Sequence, residues 1–445
     1  MTGTRHPPGP KGNWLTGNLP EFRRDMLAFF TRCAREYGDV VSLRLGPRSW
    51  VFLNHPDYIE QVLVTDNRHF AKHYVLQFLR PVLGNGLLTS EGDLWLRQRR
   101  LVQPAFQRQR IEAYGPAMVE LTQRMLADWR HGETRDLHTE MMRLTMRIVA
   151  RALLDVDVTD EAGDMGDVLN VLLADFSQRF GRAFPLPKWL PTSWNRRVKG
   201  ARLRLDQILH DIIKQRRATG ADRGDLLSTL MRARDEGDGS GMTDRQLRDE
   251  AMTLFLAGHE TTANALSWTW YLLAQHPEVE AKLAAELGRV LGDRPPRAAD
   301  LPQLVYAERV ILESMRLYPP VYGFGRRALR DCVIGGYDVP ANTTVFMSQW
   351  VTHHDPRFFD RPDEFKPDRW ADDLARRLPK YAYFPFGGGP RVCIGNTFAL
   401  IEAMLVLATV VPRFRFTLVP GHPVKPWPSV TLRPAHGIKA VLTRR

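Results

Sequence analysis

Cys393 stands in the run Phe386-Gly387-Gly388-Gly389-Pro390-Arg391-Val392-Cys393-Ile394-Gly395, a glycine-rich turn directly before the apolar stretch Asn396 to Val411. Glycines let backbone amides approach a sulfur closely, and N–H donors or a helix N-terminus favour thiolate over thiol, so the setting suits a metal thiolate. Arg391 adds positive charge two residues earlier. A second polar set, Ala257-Gly258-His259-Glu260-Thr261-Thr262, interrupts an otherwise apolar helical pattern. Burying an acid and two hydroxyls costs free energy unless they are paired. Gly258 permits close approach by something flat or small, and Thr261 can turn its hydroxyl onto a carbonyl one turn back. Glu260 and Thr261 beside such an opening read as a proton relay; the alternative is a satisfied polar kink in a core helix.

Two further sets hold charge without doing chemistry themselves. Glu313 and Arg316 lie at i and i+3 on a helix that ends at Pro319, and Arg369 follows in the loop Pro367-Asp368-Arg369-Trp370. Two arginines sharing the Glu313 carboxylate would tie loop to helix, a scaffold for the cysteine turn. Trp95 and Arg99 lie at i and i+4, and Arg326 sits where the chain enters a late sheet. An indole N–H and two guanidiniums, with Arg391 as a third, can hold carboxylates in a buried site. His353-His354-Asp355 could mimic a metal site, but packing at a helix end is the expected role.

The elements that must position these residues are mostly helices. Residues 1–20, with Pro7-Pro8-Gly9-Pro10 and Pro20, read as an extended lead-in, and residues 21–445 as one large, mainly helical domain. Leu27 to Tyr37 predicts a helix, Val40 to Leu45 and Ser49 to Leu53 strands about the Gly46-Pro47 turn, and Pro56 to Thr65 a helix. Helical periodicity runs from Trp95 to about Ala233, broken by prolines between Phe184 and Pro191. Asp244 to Gln275 predicts a helix apolar all round, hence buried, stopping at His276-Pro277. Strands follow at Val333 to Val339, turning at Gly335-Gly336, and at Thr344 to Ser348.

Composition narrows the function classes. Among 445 residues, 62 basic and 50 acidic side chains give a formal charge of +12. That balance suggests nucleic acid, but no zinc-finger spacing, basic zipper or aromatic RNA-binding signature accompanies it, so no nucleic-acid partner is expected. Cys33, Cys332 and Cys393 are far apart with no CxxC pair. With no signal-peptide pattern, they point to a reducing cytoplasm, and no run of eighteen apolar residues is present to span a membrane.

Taken together, these motifs resemble the cytochrome P-450 family of haem-thiolate monooxygenases, soluble bacterial type, over nearly the whole chain. The pattern F-x-x-G-x-x-x-C-x-G is met by Phe386, Gly389, Cys393 and Gly395, and the ExxR pair, the A-G-x-E-T-T step and the W-x-x-x-R pair occur in the family's order. The resemblance implies the mainly α cytochrome P-450 fold with small β-sheets, and a haem b between the long central helix and the helix after the cysteine loop. It makes Cys393 the proximal thiolate, with Phe386 and Gly395 beside it, and Glu260 and Thr261 the pair that delivers protons during dioxygen activation. Trp95, Arg99, Arg326 and Arg391 align with haem-propionate contacts, and Glu313, Arg316 and Arg369 with the structural triad. Substrate-contacting stretches would fall at 74–79, 170–180, 253–257, 320–324 and near 430, with Phe78, Leu79, Leu256, Ala257, Val321, Tyr322, Phe324 and Val430 prominent. Their apolar character implies a hydrophobic substrate such as a fatty acid, terpenoid or similar lipid, to be hydroxylated or epoxidised. Arg327 and Lys72 are expected to be solvated.

The chain has no cysteine cluster for an iron–sulfur centre and, on the resemblance, no length left for a flavin domain. Two electrons from NAD(P)H would therefore come through a separate ferredoxin or flavodoxin, drawn to Arg97, Arg99, Arg100, Arg108 and Arg110. Residues 184–204 mix tryptophans and cations and could rest on a membrane surface, giving a cytoplasmic monomer with peripheral membrane contact; a lid with an ordinary basic helix is the alternative. Two other readings keep the haem: a peroxide-driven peroxygenase or isomerase, and a non-enzymatic haem sensor or carrier. Glu260-Thr261 argues against both.

Overall fold

The computed structural model describes residues 5–156, 168, 171–172, 174–175, 190–220 and 222–445. Among these, helix predominates and the strands form four small sheets. The chain divides into two compact units, one made of residues 1–74 and 312–393, the other of 75–311 and 394–445.

In the first unit a five-stranded sheet runs in the order Val40–Leu45, Arg48–Leu53, Thr344–Met347, Phe324–Ala328, Phe70–Lys72. Only the pairing of Arg48–Leu53 with Thr344–Met347 is parallel, which lets two segments almost 300 positions apart share one core. One face buries Phe30 of the helix Met26–Tyr37, stacked on Phe346 at 4.6 Å between ring centroids. The other collects Val51, Leu53, Ile59, Leu63, Val345, Met347 and Phe384 into a second apolar layer. Phe384 stands two residues before Phe386, so this layer fixes where the cysteine loop begins. The Cys332–Ile334 and Tyr337–Val339 hairpin turns on Gly335 and Gly336 at φ +58 and +80, the left-handed pair that such a two-residue turn demands.

The second unit is organised about the helix Asp244–Gln275, whose ends fall where the sequence places them. Thr243 and Gln246 form a capping box at its start, and residues from Leu247 to Leu273 are largely buried. It packs along the helix Leu137–Leu154, where the Thr145 hydroxyl donates to the His259 carbonyl at 2.9 Å. The helix Asn396–Val410 buries Ile401 to Val410. The periodicity read across 95–233 is interrupted by a strand, Thr134–Asp136, which pairs with Lys439–Arg444 and so with Phe414–Leu418. A last hairpin, Pro426–Pro428 with Leu432–Pro434, has a proline in each strand, as suits exposed edges.

Most of the 170–180 stretch lies outside the described residues, as does 184–189 of the proposed membrane segment. From Ser193 that segment is the start of a helix, Ser193–Thr219, capped by the Thr192 hydroxyl. Among the described residues no helix is long and apolar enough to cross a membrane.

Candidate active site

The cysteine loop is built by glycines for identifiable steric reasons. Gly389 has φ +64, and a Cβ there would sit 1.9 Å from the Leu63 carbonyl oxygen, on the π-helical turn Gln61–Thr65. At Gly388 a Cβ would meet the Tyr381 ring at 2.1 Å, while the Gly389 N–H donates to the Tyr381 hydroxyl at 3.2 Å. The loop then closes on itself, the Cys393 N–H donating to the Phe386 carbonyl at 2.9 Å. Arg391 ends the short 3-10 turn Gly389–Arg391. Of the three cysteines, Cys33 is buried with its thiol pushed up to about 12 by that burial, and Cys332 is half-buried with its thiol also raised by burial. Cys393 alone is exposed. The most exposed of the three cysteines therefore lies on a tight, glycine-dependent loop, which fits a thiolate ligand to a large planar group.

Behind that loop sits a buried charge cluster within the same unit. Glu313 and Arg316 are both fully buried, joined through Arg316 Nε to Glu313 Oε2 at 2.9 Å and Nη2 to Oε1 at 2.8 Å. Arg369 Nε donates to Glu313 Oε1 at 2.9 Å, and the structure adds two donors not read from sequence: the Trp370 indole N–H at 2.9 Å and the Lys366 backbone N–H at 3.0 Å. Arg316 spends its remaining donors on the carbonyls of His353, Pro362 and Glu364. Burial alone would raise the Glu313 carboxyl, but the Arg316 bond and the charges of Arg316 and Arg369 hold it below its ordinary value. His353 ends the helix Gln349–His353, fully buried, and its Nε2 accepts from the Phe384 N–H at 3.0 Å. His353 thus packs between this cluster and the start of the cysteine loop.

In the second unit, the polar step of the long helix divides by direction. The Thr261 hydroxyl donates to the Ala257 carbonyl at 2.7 Å, and Ala257 is exposed in a helix otherwise buried along this stretch. That notch is where a flat group could lie. Gly258 is not part of it: a Cβ there would sit 3.1 Å from Val149 Cγ2. Of the two expectations for Gly258, something flat or something small, the structure supplies the second, since its missing side chain admits Val149 of the neighbouring helix Leu137–Leu154. His259 turns to that helix too, buried and pushed down to about 4 by that burial.

Glu260 points elsewhere again. It is 2% exposed, and its Oε1 accepts from Arg433 Nε at 2.6 Å and from the Thr431 hydroxyl, which in turn accepts from Asn264 Nδ2 at 2.9 Å. Sequence reasoning missed Thr431, Arg433 and Asn264. The alternation of Thr431 and Arg433 on one face of a strand was the available signal, but nothing local names a partner more than 170 positions away.

The remaining candidates sort by unit. Trp95 and Arg99 share a face of the helix Gly92–Val102, Trp95 buried and Arg99 half-buried. Arg326 is on the strand Phe324–Ala328, its guanidinium 4.9 Å from the Phe324 ring. Leu79 is buried in one apolar cluster with Leu254 and Phe255, and Leu256 and Val430 pack on it; Phe78 is exposed. In the first unit Tyr322 is buried, Val321 and Phe324 half-buried, and Phe324 faces Phe384 and the Gly387 position. Gly395 precedes the helix Asn396–Val410 as its N-cap. Lys72 departs from expectation, being buried on its strand, while Arg327 bonds Asn342 Oδ1.

A mainly α chain with small sheets, an exposed cysteine on a glycine loop, a buried ExxR cluster and a polar step within a continuous buried helix are features expected of a haem-thiolate oxygenase. Residues 7–440 match the family model described as Cytochrome P450, and the chain belongs to that family. It is a cytochrome P450 monooxygenase, of a family that uses O2 and a thiolate-held haem. It is 40% identical to cyclooctatin synthase of Streptomyces melanosporofaciens over 96% of this chain and 94% of that one. It is 37% identical to pentalenene oxygenase of Streptomyces avermitilis over 97% and 96%. A cyanobacterial cytochrome P450 with retinoic acid bound superposes with a TM-score of 0.90 at 26% identity, covering 100% of both chains. The haem domain of cytochrome P450DA gives 0.92 at 27% identity, over 99% and 98%.

Proposed function

We propose that this enzyme oxidises a cyclic terpenoid hydrocarbon, with Cys393 as the haem ligand and Glu260 and Thr261 as the groups that move protons. When bound, the haem supplies the activation of O2 from which one oxygen atom enters the substrate. Around it the chain's own residues have separate tasks. Thr261 holds its hydroxyl at the Ala257 notch, where it can pass a proton on. Trp95, Arg99, Arg326 and Arg391 would hold the propionates, while Glu313, Arg316 and Arg369 keep the cysteine loop rigid.

The observation that supports the substrate reading is the apolar character of the candidate contacts, Leu256 and Val430 being half-buried against the apolar cluster that contains Leu79. Such a lining binds by area and shape, which suits a rigid polycyclic hydrocarbon. The relatives named for cyclooctatin and pentalenene support the same class. Electrons would come from NAD(P)H through a separate acidic ferredoxin or flavodoxin, attracted to the exposed Arg100 and Arg108.

Spin-state titration of the haem-loaded enzyme tests the substrate. Pentalenene and related polycyclic terpenes should give the low-to-high-spin shift, whereas long-chain fatty acids and steroids should not. A shift with fatty acids and none with terpenes would overturn the reading.

A further inference from the structure

The hold on Glu260 has a consequence for the relay. Its carboxylate is gripped at one oxygen by Arg433 Nε at 2.6 Å and by the Thr431 hydroxyl, and the Asn264 amide completes the chain. All four groups belong to the second unit, two on the long helix and two at the Leu432–Pro434 strand. The intervening residue is pinned as well, since the Trp268 indole N–H donates to the Leu432 carbonyl at 2.9 Å. The hairpin is thus tied to the helix at Glu260 and again two turns on, about 12 Å along its axis. A carboxylate so gripped cannot reach the Thr261 notch unless it turns out of the clamp, and the strength of the clamp sets how readily it turns. Arg433 also has its Nη2 buried without a partner, a donor that Glu260 could use on moving.

Val430 adjoins this clamp in sequence. It packs on the cluster of Leu79, Leu254, Phe255 and Leu256, and its Cα is only about 3.8 Å from that of Thr431. A shift of Val430 would be carried through one peptide bond to the residue whose hydroxyl holds Glu260. We propose that Arg433 and Thr431 are positioning residues for the Glu260 acid, and that the hairpin Pro426–Pro428 with Leu432–Pro434 reports filling of the apolar cluster to it. This rests on Glu260 and Thr261 moving protons. It makes proton delivery conditional on a bound substrate, which would protect the enzyme from wasting electrons as peroxide.

The test uses the haem-loaded enzyme with pentalenene as probe and a plant-type ferredoxin with its reductase as electron source. Arg433→Gln should raise peroxide release per electron pair consumed, on the order of tenfold, and shrink the solvent deuterium isotope effect on turnover, because the acid no longer has to leave a clamp. Arg433→Lys, which keeps the charge, should recover most of the coupling. Val430→Ala should weaken probe binding and, at probe concentrations that give the full spin-state shift, still raise peroxide release. Coupling of Arg433→Gln equal to the parent would overturn the positioning role, and a Val430→Ala effect confined to probe binding would overturn the reporting role. Urea unfolding supplies a readout independent of turnover. Arg433→Gln should lower the midpoint, and adding Glu260→Gln should restore most of the loss, whereas additive losses would overturn the clamp. If pentalenene gives no spin shift the terpenoid reading fails, while the unfolding cycle still decides the clamp. Should Arg433→Gln not fold, Thr431→Val carries the same comparisons.

Discussion

Glu313 balances two guanidiniums largely withdrawn from water, since the Arg316 side chain is fully buried and that of Arg369 is 6% exposed. Glu313→Gln would keep the shape but leave both cations uncompensated, a loss of about 3–5 kcal/mol. Urea unfolding and the haem content of the purified protein would register it, the expected outcome being a large drop in both. Glu402 is the opposite case: fully buried on the helix Asn396–Val410, with neither carboxyl oxygen in a well-aligned hydrogen bond. Burial drives it well above the ordinary 4.5, against a weaker pull from the Thr262 hydroxyl. The folded state therefore keeps a proton that the unfolded state gives up above pH 4.5. Its contribution is whole below that pH and declines as pH rises toward the folded value. Glu402→Gln should match the parent near pH 4.5 and exceed it at pH 8, read as the difference in urea midpoint across the range. A constant difference would assign the effect to packing.

At the scale of elements, the long helix was legible because its signals are local, an apolar run and a His-Pro stop, to which the structure adds the Thr243–Gln246 cap. The terminal hairpin was not legible, because prolines at 426, 428 and 434 mask strand character and its register comes from tertiary pairing. Gly258 shows how a local signal leaves its partner open, since sequence reveals that space is needed and not who fills it. Replacing it with alanine would add about 1 kcal/mol of helix propensity, offset by a Cβ 3.1 Å from Val149 Cγ2. Gly258→Ala alone should therefore change stability little. In a Val149→Ala background, where the crowding atom is gone, the same change should stabilise the protein. Thermal unfolding of the four variants checks the crossover, and equal effects in both backgrounds would mean that Val149 is not the constraint.

At the scale of the whole molecule, a net charge of +12 does not say where on the surface the excess is felt. The cysteine turn and the ExxR pair were readable because they are compact in sequence, but a charge field depends on which cations are already answered. Arg97 lies 3.7 Å and Arg100 3.3 Å from the Asp235 carboxylate, and Arg108 bonds Glu112 at 2.7 Å. The five arginines read as one docking surface are thus partly neutralised from within the chain. Arg100 and Arg108 nonetheless keep side-chain exposures of 57% and 65%, enough to act on an approaching acidic surface. If steering governs electron delivery, removing an internal acid should quicken it rather than slow it. Glu112→Gln frees the Arg108 guanidinium at an exposed site, with little expected cost in stability. The second-order rate of reduction by an acidic ferredoxin should therefore rise at low salt, while Arg108→Gln lowers it. Both effects should vanish near 1 M salt, where the screening length is about 3 Å. A Glu112→Gln rate that stays at the parent value at low ionic strength would place the docking surface away from these arginines.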